Sequence, residues 1–333
     1  MPFPYYTGKP ITPPTQPVDL PRSRREIQTS PEKYIADDGL VDAVNVALLL
    51  GQPLLLTGKP GTGKTQLAYS LAYQLGLGEP LKFETKSTSQ ACDLFYVYNA
   101  LERFHAAQSA QLGERSEKKN VDYITYHALG KAILLTHPPD EIKQYLPRNF
   151  EKYTKPRRSV VLVDEIDKAP RDFPNDILNE IENLYFRISE LDSEKIEATN
   201  DMPPILVLTS NSEKPLPEAF LRRCIYYDIP FPDRQRLTEI VEARLGTYIK
   251  SSSDFLAKAL DIFFQLQDGG LRKKTSTAEL LNWLTVLHEL YPDTENPLEH
   301  PDSISRTLSS LVKMADDQHT ARRILNLENA TPP

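Results

Sequence analysis

Residues 58 to 65 read GKPGTGKT, which concentrates three of the chain's thirteen glycines in a single turn. Before it stand Pro53, Leu54, Leu55, Leu56 and Thr57, a run short and apolar enough for a buried parallel strand. After it, Leu67, Leu71 and Leu75 recur at helical spacing. Glycine at 58, 61 and 63 lets successive amides turn inward toward phosphate oxygens, and the following helix N-terminus adds a favourable dipole. Lys64 is then within reach of the β and γ phosphates, and the Thr65 hydroxyl is available to Mg²⁺. The expected nucleotide-binding set is Gly58, Pro60, Gly61, Thr62, Gly63, Lys64, Thr65 and Gln66.

A chain of 333 residues, 26% charged and 40% hydrophobic, has enough material for two domains with their own cores. Its net charge of −7 argues against a general affinity for nucleic acid. Cys92 and Cys224 lie far apart with no CxxC pattern, so neither a zinc site nor a disulfide framework is indicated, and a reducing cytoplasm fits best. The N-terminus has no signal-type apolar core, and the longest apolar run, 46 to 56, is broken by Gly51, Gln52 and Pro53. No membrane span is expected.

Seven prolines fall within residues 1–30, which read as an extended or disordered arm. From there, Leu40, Val44, Ala47 and their neighbours form an amphipathic helix ending near Gly51. Apolar strand-like runs recur at 160–163, 205–208 and 225–229, separated by helical patterns. That alternation is the mark of a parallel α/β sheet. Beyond Phe231 and Pro232 only helical patterns follow, at about 233–248, 254–267, 276–291 and 303–325. The expected division is an arm at 1–30, an α/β domain at 31–230 and a helical domain at 231–333.

Val160 to Val163 lead directly into Asp164 and Glu165, which places two carboxylates past the C-terminal end of a strand, where open α/β sheets bind ligands. Asp164 is suited to hold Mg²⁺ through its waters, and Glu165 to orient and deprotonate an attacking water. Alone, the pair reads equally well as an acidic helix start; the upstream phosphate loop favours the ligand. A third strand runs into Asn211, whose amide is placed to bond the γ phosphate or the water, although Asn is also a common turn former. Arg222 and Arg223 follow a short helical stretch. One of them could neutralise transition-state charge, and two solvated surface arginines is the plainer alternative.

Taken together, GKPGTGKT, VVLVDEIDKA, VLTSN and AFLRRC, in this order and ahead of a helical region, resemble an AAA+ ATPase, and within that superfamily the MoxR family. The lead-in GLVDAVNVALLLGQPLLLTGKPGTGKT and the segment NDILNEIENLYFRIS add to the likeness, which covers about 32 to 290. The resemblance implies an AAA+ P-loop core, a parallel sheet flanked by helices, followed by an all-helical lid. It also implies a homo-oligomeric, usually hexameric, ring with ATP bound between subunits. Arg223, aligning with the family's single arginine, would then complete the neighbour's site. Two hairpin inserts are implied near 85–105 and 186–200. Tyr34 and Ile35 fall where the family wraps the adenine, and ATP over GTP rests on the same likeness. Such proteins act as chaperone-like machines on protein clients, often with a partner bearing a von Willebrand factor A domain. The usual lid arginine aligns with Ala278, leaving Arg272, Lys273 or Lys274 to supply charge from the preceding loop.

The leading expectation is therefore an ATP hydrolase that remodels or activates a protein partner. The competing ones are a nucleotide-driven nucleic-acid machine of restriction or antiviral defence, and a nucleotide-gated scaffold that scarcely turns over.

Overall fold

The computed structural model describes residue 16 and residues 29–111, 118–191, 195–246, 253–300 and 302–327, so most of the proline-rich segment expected at 1–30 lies outside the described residues. The chain divides into two compact units, one of Ala36–Phe231 and the other of residues 1–35 together with Pro232–Pro333.

The larger unit begins with α1 (Asp38–Leu50), started by Asp37, whose carboxylate accepts the Leu40 N–H at 2.9 Å. It ends at Gly51, which takes the left-handed φ of 63° that glycine adopts without strain. Next come β1 (Leu54–Thr57), α2 (Lys64–Gln74), β2 (Leu81–Glu84), β3 (Tyr96–Tyr98), α3 (Ala100–Gln111), β4 (Ile124–Tyr126) and α4 (Ala128–Leu134). The unit continues through β5 (Val160–Asp164), α5 (Phe173–Asp176), α6 (Leu178–Asn183), β6 (Tyr185–Phe186), β7 (Ile196–Glu197), β8 (Ile205–Thr209), α7 (Glu218–Leu221) and β9 (Ile225–Asp228).

Five strands form one sheet in the order β2-β5-β8-β1-β9, with every pairing parallel. The inner strands are the apolar runs. Leu54 to Leu56 and Val160 to Val163 are buried on both faces, as a sheet covered by helices on each side requires. The two edge strands alternate instead. In β2, Phe83 is buried while Lys82 and Glu84 are exposed, so the segment LKFE carries no apolar run and its strand is not apparent from sequence. Because all five strands point the same way, Thr57, Glu84, Asp164, Thr209 and Asp228 close one end of the sheet.

Two short antiparallel ladders lie outside this sheet. β3 pairs with β4, Val97 opposite Thr125, so the partner of the first insert strand lies beyond the 85–105 window. Residues 100–111 between them form α3, which postpones the return strand. β6 pairs with β7, Phe186 opposite Ile196, inside the region read as the second hairpin. The two ladders pack on each other through rings: Phe186 stacks on Phe95 at 5.6 Å and meets Tyr126 edge-on at 6.1 Å.

In the other unit, α8 (Arg234–Leu245), α9 (Ser253–Asp268), α10 (Thr277–Leu290), α11 (Ser303–Leu311) and α12 (Ala315–Ile324) form an all-helical body. Ser276 and Glu279 make a reciprocal capping box at the start of α10. Trp283 is fully buried, and its indole N–H donates to Thr307 Oγ1 at 2.8 Å. The single helix read over 303–325 is two helices. The chain becomes extended at Val312 and Met314, and Gln318 Nε2 donates to the Val312 carbonyl at 2.9 Å. The break lets Asp317 accept the Arg272 and Lys273 N–H groups, each at 2.9 Å. No helix among the described residues is long and apolar enough to cross a membrane.

Candidate functional site

The loop between β1 and α2 is held open by its glycines. Gly58 sits at φ 133°, and a Cβ there would stand 2.7 Å from the Ile229 carbonyl oxygen, so any side chain would strain the turn. Gly61 and Gly63 take φ of 80° and 94°. The Thr62 hydroxyl donates to the Lys59 carbonyl at 2.9 Å and closes the turn. Lys64 opens α2 and is only 6% exposed. Its ammonium donates to the Gly58 carbonyl at 2.7 Å and the Lys59 carbonyl at 3.0 Å. Burial pushes its pKa down, against the opposing influence of Asp167, Asp164, Glu165 and Asp228. The result is a cationic loop of backbone amides at a helix start, which is an anion-binding arrangement. Among the other cradle residues, Pro60 is exposed, Thr65 is half-buried, and the Gln66 Oε1 is buried without a partner among the described residues.

The acids meet the cradle from β5. Asp164 Oδ1 accepts the Thr65 hydroxyl at 2.9 Å and the Thr209 hydroxyl at 2.7 Å, while Oδ2 pairs with the Lys82 ammonium at 3.1 Å. Glu165 follows in the left-handed region, φ 56° and ψ 52°, a strained backbone for a residue with a side chain. Its N–H donates to Thr209 Oγ1 at 2.9 Å, so one hydroxyl joins both acids. Glu165 Oε1 accepts from Asn211 Nδ2 at 3.0 Å, and Oε2 pairs with Lys168. Asp167 Oδ2 accepts the backbone N–H groups of Asn211 at 3.2 Å and Glu213 at 2.9 Å.

The structure thus brings Lys64, Thr65, Asp164, Glu165 and Asn211 to one end of the sheet. It adds Lys82, Asp167, Lys168 and Thr209, which the sequence reading passed over. The available signal for Thr209 was its position, a hydroxyl closing an apolar strand beside Asn211; Lys82 lay hidden in an edge strand. Arg222 and Arg223 do not join this group. Arg222 pairs with Glu218, one helical turn away, and Arg223 Nε with Glu182 at 2.8 Å, both on the surface. Tyr34 and Ile35 belong to the unit that contains the helical body, where Tyr34 leaves the short turn Pro31–Lys33 in an extended conformation.

A hydroxyl and a carboxylate 2.9 Å apart beside an anion cradle fit Mg²⁺, which takes few protein oxygens and completes its shell with waters and phosphate. No cluster of three or more His, Cys, Asp or Glu side chains that could hold a different metal occurs among the described residues.

A family model described as "ATPase family associated with various cellular activities (AAA)" matches residues 54–232. No curated protein matches the chain by sequence. Among solved structures, the chain is similar to the RuvB Holliday junction branch migration motor of Thermotoga maritima, at 14% identity over 89% of this chain and 72% of that one, with a TM-score of 0.44. Two variants of the same protein give 15% identity over 84% and 69% with a TM-score of 0.45, and 16% over 90% and 74% with a TM-score of 0.46.

Proposed function

The chain belongs to the AAA family of ATPases, and from that premise we propose that it works as a MoxR-like ring, in which ATP hydrolysed at subunit interfaces drives remodelling or activation of a protein partner. ATP binding and hydrolysis come with family membership. The assignment of residues to steps rests on one observation above all, the hydrogen bonds that tie Thr65, Asp164 and Thr209 to the Glu165 backbone N–H, and the Glu165 carboxylate to Asn211.

Among these residues the division of labour is chemical. Lys64, now satisfied by two loop carbonyls, exchanges them for phosphate oxygens when nucleotide enters. Thr65 and Asp164 would hold Mg²⁺, which would neutralise charge on the phosphates. Glu165 receives a proton from the attacking water while Asn211 fixes the carboxylate's direction. Lys168 holds the other Glu165 oxygen and is released as that oxygen takes up its task. Arg223, paired with Glu182, is the cation offered to a neighbouring subunit, because it aligns with the single arginine of the MoxR resemblance; Arg222, paired with Glu218, is the less suited of the two by that alignment. The partner is a protein client or a protein bearing a von Willebrand factor A domain, in keeping with the MoxR resemblance.

The Glu165→Gln variant tests this reading. It is expected to retain ATP, to assemble in light scattering and to lose turnover by roughly 10² to 10⁴-fold; turnover at the wild-type rate would remove Glu165 from the mechanism. Captured on a column with ATP, the same variant should recover a specific protein, and recovery of nucleic acid instead would overturn the protein-partner assignment. Mixing Arg223→Ala subunits with Lys64→Ala subunits should restore part of the turnover that each lacks, because only an arginine acting between subunits allows an intact composite site.

A further inference from the structure

Asp167 lies two residues past Glu165 in the turn Ile166–Lys168 and is 3% exposed. A carboxyl group this deeply buried costs free energy unless the fold supplies hydrogen bonds to it. Its Oδ1 has no hydrogen-bond partner among the described residues. Its Oδ2 accepts two backbone N–H groups from the chain leaving β8, those of Asn211 and Glu213. The residue between these donors, Ser212, stands at φ 60°, a left-handed conformation that serine rarely adopts, and its own N–H turns to Ser210 Oγ at 3.0 Å. A backbone of this kind persists only where its surroundings impose it. The only side chain among the described residues that grips both flanks of the bend is Asp167.

We infer that Asp167 is a positioning residue for hydrolysis: one carboxylate oxygen, by accepting the Asn211 and Glu213 amides together, bends the loop so that the Asn211 side chain meets Glu165. The inference rests on the roles proposed above for Glu165 and Asn211. The same geometry explains why Asp167 need not touch nucleotide. The two hydrogen bonds it accepts from backbone N–H groups fix the chain at Asn211, and Asn211 Nδ2 in turn donates to Glu165 Oε1 at 3.0 Å. Asp167 also leads the acids that favour the charged form of Lys64, so its geometric and electrostatic effects must be separated.

Steady-state ATP turnover and binding of a fluorescent ATP analogue, measured on the full chain, separate them. Asp167→Ala should lower kcat roughly 10- to 100-fold through misplacement of Asn211, while analogue affinity stays within about threefold of wild type. Asp167→Asn keeps a carbonyl oxygen able to accept both amides and should recover most of the lost kcat. The Asp167→Ala, Asn211→Ala double variant should be no slower than Asn211→Ala alone, because both changes act through one side chain. Wild-type kcat in Asp167→Ala, or losses that multiply in the double variant, would overturn the inference. Asp167→Asn as slow as Asp167→Ala would also overturn it, by assigning the effect to charge. If Asn211→Ala itself turns over normally, the reading of Asn211 fails and this inference with it; a slow Asn211→Ala beside a fast Asp167→Ala sinks the inference alone. Should Asp167→Ala not fold, Asp167→Ser is read in its place, with lost kcat and retained analogue binding expected and wild-type kcat decisive against.

Discussion

The two halves of the site are built in opposite ways. The cradle from Gly58 to Thr65 is made of consecutive residues, and what shapes it is backbone: three glycines at positive φ and the first turn of α2. The acidic half draws Lys82, Asp164, Glu165, Asp167, Thr209 and Asn211 from the ends of β2, β5 and β8, and what shapes it is hydrogen bonding between side chains far apart in sequence. A contiguous element built from backbone preferences tolerates changes elsewhere in the protein. A composite one depends on the sheet holding its strands in register, here Val163 beside Leu208. The difference predicts that the cradle governs whether nucleotide binds and the acidic half governs whether it is hydrolysed.

The sharpest test of that division is Lys64→Ala. Charge-assisted hydrogen bonds to phosphate contribute about 1.5–3 kcal/mol each, so its loss should weaken ATP binding on the order of 100-fold or more, read by titration of a fluorescent analogue. Thr209→Val removes the hydroxyl shared by Asp164 and the Glu165 amide. It should lower kcat by roughly 10-fold, in line with about 1–3 kcal/mol for a polar group left unpaired, while ATP affinity is nearly unchanged. A Thr209→Val protein that lost affinity as severely as Lys64→Ala would break the separation between halves.

Two smaller effects sharpen it. Gly58→Ala would press a methyl against the Ile229 carbonyl at a φ of 133°. Strain of about 1–3 kcal/mol should lower both the melting temperature and ATP affinity, with kcat at saturating ATP largely kept. Tyr227 lies on β9, where its hydroxyl donates to Asp37, the residue that starts α1. Burial, helped by the Asp37 carboxylate, pushes its pKa up to about 12. The folded state therefore favours the neutral phenol. The resulting stability is present below the ordinary tyrosine pKa near 10 and is lost as pH rises from there toward 12. Tyr227→Phe should lower stability by about 0.5–1.5 kcal/mol at neutral pH and flatten the alkaline limb of the stability curve, measured by urea unfolding across pH 8 to 12, with turnover unaffected.

How far each part could be read from sequence follows from the same contrast. The inner strands declared themselves as apolar runs because both of their faces are covered, whereas β2, exposed on alternate residues, did not. The helix expected across 303–325 kept an unbroken pattern, yet the chain bends at 312–314, where Asp317 and Gln318 find partners outside the helix. The strand opposite Tyr96–Tyr98 was missed because α3 intervenes between the partners. In the site, Glu165 and Asn211 were legible from their positions after apolar runs. Thr209 and Asp167 were not, since a hydroxyl at a strand end and an acid in a turn have many ordinary uses.

Sequence by itself determined the phosphate cradle, because glycine's freedom at positive φ and a helix start act over a few neighbouring residues and need no help from the rest of the chain. It likewise determined the parallel sheet, through apolar runs that only burial on both faces can satisfy. Tertiary structure alone decided which polar side chains speak to one another: that Lys82 faces Asp164, that one threonine hydroxyl serves two acids, and that Asp167 grips the loop of Asn211. Hydrogen bonds act over about 3 Å, and only the folded sheet brings residues separated by some forty to eighty positions within that reach.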